Sequence, residues 1–411
     1  MKLKRGILVV GIGIAIILAI AFIQAVGLIE SNQWEANLTT VMFSTVAFGD
    51  IDNDNDSDLI LTGCYSDVSW NCENGVIAKV YINNGTNLNE NSSWQQNLTG
   101  VGHGSTAWGD IDNDGYLDLI ISGCTSATTS CNGNLIAKIY MNNGTSLNEN
   151  TTWQQNLIAA SQSGMIFGDY DNDGYIDLVL MGCCDYLRTY TNNGTSFAQS
   201  QIEGGGGFPE LGGGLFDGSI ALGDFDNNGY LDFVGIGREN GRSAVYSNNG
   251  AGKFAINSTV GASITSDNFR HGALAWNDLD IDGDLDLTIV AYRYAEDGIA
   301  KRVYINNVSL TSNNSAPYLP ATFENYSLGD GDVFFGWSNA SDNETNSTGL
   351  YYNLRIGTST SGNQIVSGVF GGSSGGEWRG GGPASGYFGN MMQRKNITLD
   401  GSRFQVGMTY Y

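Results

Sequence analysis

Apolar and polar positions alternate with a period of two along much of this chain, in short runs such as "DLILTG" (58–63), "YLDLIISG" (116–123) and "YIDLVLMG" (175–182). That alternation predicts strands, and sustained helical spacing is nearly absent beyond residue 31. A second β-rich run follows each of these: "AKVYINNGTNL", "AKIYMNNGTSL", "RTYTNNGTSF", "AVYSNNGAGKF" and "RVYINNVSL". Four of the five contain Asn-Gly, a strong hairpin signal. "WQQNL" comes next at 94–98 and 153–157, and its place in the pattern predicts a fourth strand.

The pattern is a repeat. "GDIDNDNDSDLILTG" begins at Gly49, "GDIDNDGYLDLIISG" at Gly109, "GDYDNDGYIDLVLMG" at Gly168, "GDFDNNGYLDFVGIG" at Gly223 and "NDLDIDGDLDLTIVA" at Asn277. From first Asp to first Asp the steps are 60, 59, 55 and 54 residues, which suits one supersecondary unit per repeat. Four strands in each of five units define an all-β chain, a β-propeller of five four-stranded blades. The stretch "WEANLTTVMFSTVAFGD" at Trp34 matches "WQQNLTGVGHGSTAWGD" of the next repeat, while the fifth repeat stops after "VYINNVSL". The segment at Trp34 is therefore expected to supply the fifth blade's missing outer strand and close the ring.

The loops carry the chemistry. In the second copy Asp110, Asp112, Asp114 and Asp118 occupy positions 1, 3, 5 and 9, with Gly115 at position 6. Carboxylates this close repel one another, and oxygen donors at this spacing match the first part of a calcium loop. Position 12 is Ile121 inside a strand, so the loop is no EF-hand. Asn55 replaces the glycine in the first copy, and Asn228 a carboxylate in the fourth.

These repeats resemble the FG-GAP or VCBS repeats of integrin-alpha-like propellers, and the resemblance spans residues 31–310. It implies calcium, about five ions in all, one per loop. The ligands it implies are Asp50, Asp52, Asp54 and Asp58; Asp110, Asp112, Asp114 and Asp118; and Asp169, Asp171, Asp173 and Asp177. The last two sets are Asp224, Asp226, Asn228 and Asp232, then Asp278, Asp280, Asp282 and Asp286. Family members usually have more blades than five.

Residues 1–30 hold "MKLKR" and then 24 uncharged residues, read as an N-terminal membrane anchor or a cleaved signal peptide; either places the remainder outside the cytoplasm. Cysteine usage agrees: Cys64 with Cys72, and Cys124 with Cys131, are expected as local disulfides in the loops between second and third strands. Cys183 and Cys184 read either as a vicinal disulfide or as thiols. Sequons such as Asn37, Asn91, Asn97, Asn150, Asn257 and Asn396 suit a surface glycoprotein. After a linker at 311–320, residues 321–411 resemble an immunoglobulin-like sandwich of fibronectin type III kind, incomplete at Tyr411.

Formal charge is −24, but removing the nineteen proposed Asp ligands leaves −5, so the acidity is mostly metal ligation and argues against a nucleic-acid partner. Two His and no nucleophile motif favour a non-catalytic recognition or adhesion module whose partner is a surface glycan or protein. An exported polysaccharide lyase or hydrolase and a structural envelope glycoprotein are the alternatives. Arg188, Arg238, Arg242, Arg270, His271 and Arg293 are expected in or beside loops of the calcium-free face, as a patch for an anionic ligand. His103 and His271 occupy the same register and read as packing residues at the start of the innermost strand.

Overall fold

The computed structural model describes residues 32–54, 56–65, 72, 75–126, 134–183, 186–200, 216–238, 243–250, 252–259, 264, 269–277, 279–280, 284–293, 298–306, 318–328, 333–341, 352–353, 390–392, 396–399 and 409. Two compact units divide the chain, Met1–Ala36 and Asn37–Tyr411. Of the first, the described part is one helical turn, α1 (Asn32–Glu35).

The second unit is a succession of antiparallel blades, each ordered as in the chain. Blade 1 is β1 (Met42–Gly49), β2 (Asp58–Cys64), β3 (Val76–Asn83) and β4 (Leu88–Glu90). Blade 2 is β5 (Gly102–Gly109), β6 (Asp118–Cys124), β7 (Leu135–Asn142) and β8 (Leu147–Glu149). Blade 3 is β9 (Gly164–Gly168), β10 (Asp177–Gly182), β11 (Tyr186–Asn192) and β12 (Phe197–Ser200); blade 4 is β13 (Phe216–Gly223), β14 (Asp232–Arg238), β15 (Ala244–Asn248) and β16 (Phe254–Ile256). Blade 5 shows three strands among the described residues, β17 (Phe269–Asn277), β18 (Asp286–Arg293) and β19 (Gly298–Tyr304). The architecture is thus all-β and propeller-like, as the alternation predicts.

The fourth strand is not where the sequence pattern puts it. It is the three-residue "LNE" straight after the hairpin, and "WQQNL" instead begins in one helical turn, α2 (Ser92–Gln95) or α3 (Thr151–Gln154). Asn91 and Asn150 explain the change: each caps its helix, the side chain accepting from the second and third backbone N–H groups that follow. Trp94 and Trp153 are buried from these turns. Trp34 lies in the equivalent helix α1, so it supplies no closing strand.

Apolar clusters sit between successive blades. Trp108 of β5 shares one with Ile60 and Val80 of blade 1, and Met165 and Phe167 of β9 share another with Ile120 and Ile139 of blade 2. Innermost strands pack in chain order, β1 on β5, β5 on β9, β9 on β13 and β13 on β17; among the described residues no comparable packing joins β17 to β1. The innermost strands of blades 1, 2, 4 and 5 shift register early, and Phe43, His103 and His271 take positive φ there, with Gln162 the blade 3 counterpart. Phe43 and His103 stack across the blade boundary with ring centroids 3.8 Å apart, the packing role expected for His103.

Beyond the blades, β20 (Phe323–Ser327), β21 (Val333–Trp337) and β24 (Asn396–Leu399) form an antiparallel sheet, and β22 (Tyr352–Asn353) pairs with β23 (Asn390–Met392).

Candidate metal centre

Strand register fixes each acidic loop. The residue before position 1 pairs directly with the Asp at position 9: Gly49 with Asp58, Gly109 with Asp118, Gly168 with Asp177, Gly223 with Asp232 and Asn277 with Asp286. Position 9 is therefore held at the first residue of a central strand, buried in every copy. One oxygen accepts the backbone N–H of position 2, as Asp118 does from Ile111 at 2.9 Å. The other accepts from the hairpin asparagine that ends the third strand, Asn142 N at 2.8 Å. The same two bonds hold Asp58, Asp177, Asp232 and Asp286. Acidic loop and hairpin turn therefore share one end of the blade.

Positions 1, 3 and 9 converge in four loops: Asp50, Asp52 and Asp58; Asp110, Asp112 and Asp118; Asp169, Asp171 and Asp177; Asp224, Asp226 and Asp232. In each, one carboxylate oxygen per residue lies within 4.8 Å of the other two. Oxygens around one calcium ion lie no farther apart than the shell diameter, about 4.6–5.2 Å, so the donor set fits a hard divalent cation in size and in chemistry. Several of these clusters can hold a metal ion.

Position 5 plays a different part from the other three. Asp54, Asp114, Asp173 and Asn228 each accept, through Oδ1, the backbone N–H two residues on, all at 2.9 Å. This bond tightens the loop and leaves the second side-chain atom for another partner. Position 1 accepts from the loop glycine: Gly115 to Asp110, Gly174 to Asp169 and Gly229 to Asp224. Asp278 and Asp282 of the fifth loop lie outside the described residues; Asp280 is exposed.

Gathering carboxylates without a cation raises their proton affinity. Burial, with repulsion from Asp52 and Asp54, pushes Asp58 up to about 8. Burial likewise takes Asp118 and Asp232 to about 8, and with the charges of Asp171 and Asp169 it takes Asp177 to about 9. Asp169 rises to about 7 and Asp171 to about 6, burial leading in both.

Sequence reasoning missed the asparagines that tie one loop to the next. Asn142 Nδ2 donates 2.7 Å to the carbonyl of Ile51, position 2 of the preceding blade's loop. Asn192 reaches Ile111, Asn248 reaches Tyr170 and Asn306 reaches Phe225 in the same way. Asn53, Asn113 and Asn172, at position 4 with positive φ, donate forward to the carbonyls of Gly115, Gly174 and Gly229 in the next loop. An asparagine recurring at position 4 was the available signal, since Asn is a residue that tolerates the left-handed conformation.

Arg188 is the third residue of β11, beside the 183–185 connection, but it is buried, with Nη1 donating to the carbonyl of Leu187. Arg238 and Arg293 end β14 and β18, and Arg270 and His271 stand near the start of β17, so all four lie at strand ends beside the loops; Arg242 lies outside the described residues. Strand pairing sets Phe269 and Arg270 opposite Arg293 and Tyr292, which brings part of the set to one end of blade 5. The Cys64–Cys72 disulfide is formed, with Cα atoms 5.1 Å apart. Cys124 is a buried, unbridged thiol 3.7 Å from the carbonyl of Ser126; the expected bridge to Cys131 is not made by it here, and Cys131 lies outside the described residues. Cys183 Sγ is 3.0 Å from Ser161 Oγ, and Cys184 lies outside the described residues.

Comparison with known families finds the FG-GAP-like repeat at residues 169–235 and 224–289, the third to fifth acidic loops with their strands. No curated protein matches the chain. Among solved structures, the exotype rhamnogalacturonan lyase YesX aligns with a TM-score of 0.32 and 13% identity over 77% of this chain and 68% of its own. A Bacillus licheniformis rhamnogalacturonan lyase gives 0.31 and 13% over 74% and 72%, and an endo-1,4-beta-xylanase from Bacteroides thetaiotaomicron 0.26 and 11% over 74% and 96%.

Proposed function

We propose that this chain is an exported or surface-anchored protein whose FG-GAP-like propeller binds calcium in its acidic loops and serves as a non-catalytic recognition module for a surface glycan or protein. The observation that carries the reading is the fourfold convergence of three carboxylates within 4.8 Å, on loops whose backbone is already organised by position 5. Hard oxygen donors at that spacing suit calcium in preference to softer metals. The Cys64–Cys72 disulfide supports an oxidising compartment, as does the uncharged N-terminal stretch.

Recognition is assigned to the end of the blades away from the acidic loops. There the connections from second to third strand run 65–75, 125–134, 183–185, 239–243 and 294–297, so their length and chemistry change from blade to blade while the acidic end repeats. Variable loops on a constant frame are the usual setting of binding surfaces. Isothermal titration of the full chain with calcium, followed by binding to a glycan array with and without EDTA and a parallel assay for chain cleavage, tests this. Calcium uptake with calcium-dependent binding and intact glycans is expected. Cleavage would replace recognition with catalysis, and absence of calcium uptake would remove the basis of the reading.

A further inference from the structure

Among the described residues, each terminal blade exposes apolar side chains at positions that the internal blades bury, although Leu59, Leu61 and Tyr81 on the same face of blade 1 are covered by Leu38 and Val41. On the leading side, Phe48 of β1 is 43% exposed, whereas its counterpart Trp108 is 0% exposed against blade 1. Val46 is half exposed, and its counterparts Thr106, Met165, Ile220 and Leu274 are buried. On the trailing side, Val303 of β19 is 58% exposed, while the counterparts Val80, Ile139 and Val245 are buried. Val290 of β18 is 51% exposed where Thr62, Ser122, Met181 and Ile236 are buried. Ile299 and Ile305 extend the same exposed apolar surface.

These faces are the two halves of one joint. Inside the chain, Val80 and Ile60 on a trailing face meet Trp108 on the next leading face, and Ile139 and Ile120 meet Phe167 and Met165. The free trailing face of blade 5 therefore presents to solvent the surface that the free leading face of blade 1 is shaped to receive. Exposed apolar patches of this kind mark interaction surfaces. We propose that blade 5 of one copy of this chain docks on blade 1 of a second copy, head to tail, continuing the blade-to-blade interface already repeated within the chain. The contact is heterologous: it joins a trailing face to a leading face, neither pairs with itself, and each pair keeps one of each free for a further copy.

Cysteine cross-linking of the full chain in mild detergent tests the arrangement. Phe48→Cys and Val303→Cys variants are oxidised separately and mixed, beside wild type to set the background from native cysteines; both positions are exposed, and unchanged melting temperatures check the fold. A disulfide-linked dimer is expected in the mixture and in neither variant alone. Adding Val290→Asp to the Val303→Cys chain should abolish the cross-link. A dimer from Phe48→Cys alone, a bridge closing within a single Phe48→Cys/Val303→Cys chain, or no cross-link in the mixture would each overturn the proposal.

Discussion

Asn142 Nδ2 and the carbonyl of Ile51, 91 residues apart in sequence, lie 2.7 Å apart and are both buried. The same amide also donates to Leu117 at 3.1 Å, so one side chain joins its own loop to that of the preceding blade. Removing it leaves two buried carbonyls without that donor. Asn142→Ala is expected to cost about 1–3 kcal/mol in denaturant unfolding. Asn83, whose amide reaches the Ser57 carbonyl of its own blade, should cost less on the same change. Equal losses would deny the link between blades any special weight.

Acidity provides a second check. Without a cation, Asp58, Asp118, Asp232 and Asp177 ionise only near pH 8–9, far above the unfolded carboxylate value of about 4. A folded pKa above the unfolded one gives stability that is complete below the unfolded value and lost as pH rises through the folded one. In EDTA the melting temperature should therefore fall between about pH 5 and 9. Calcium binds the ionised triads, so the rise in melting temperature it produces should grow across the same range. A calcium effect independent of pH would contradict this coupling.

Ligand substitutions should separate the loop positions. Asp112→Ala removes one of three converging oxygens and is expected to delete one ion from the calcium stoichiometry measured by titration. Asp114→Asn keeps the Oδ1 acceptor for Tyr116 N–H and should retain the loop conformation, seen as an unchanged melting temperature in EDTA, with weaker calcium affinity.

Gly144 sits at φ +80°, and a Cβ there would lie 2.8 Å from the ring of Tyr116, position 7 of the acidic loop. Gly144→Ala combines a left-handed backbone with a collision, so it should destabilise by about 1 kcal/mol or more. Thermal unfolding beside Gly115→Ala, where φ is +95° but nothing lies within 4 Å, isolates the collision.

The blade frame was legible in the sequence because period-two runs and fixed Asp spacing are local signals. Asp110, Asp112 and Asp118 converge as that spacing implies. The "WQQNL" helix was not legible: a strand as short as Leu147–Glu149 and a single helical turn are both below the length at which periodicity distinguishes them. Nor could local pattern reveal that Arg188, beside a loop in β11, is buried, since burial depends on packing that period-two spacing does not encode. The turn was legible from Asn143-Gly144, but the role of Asn142 before it depends on a partner 91 positions away.

The forward reach of Asn53 to Gly115 and the backward reach of Asn142 to Ile51 have a genealogical consequence. The earlier repeats encode both the donor for the next blade and the carbonyl that the next blade's donor seeks. A gene segment copied in tandem thus yields a blade that already fits on either side, with no compensating change elsewhere. Blade number in such a lineage is free to drift by duplication and loss, while the hairpin asparagines, as parts of the joint itself, recur in all five copies and the position 4 asparagine in four, with Ile281 in the fifth.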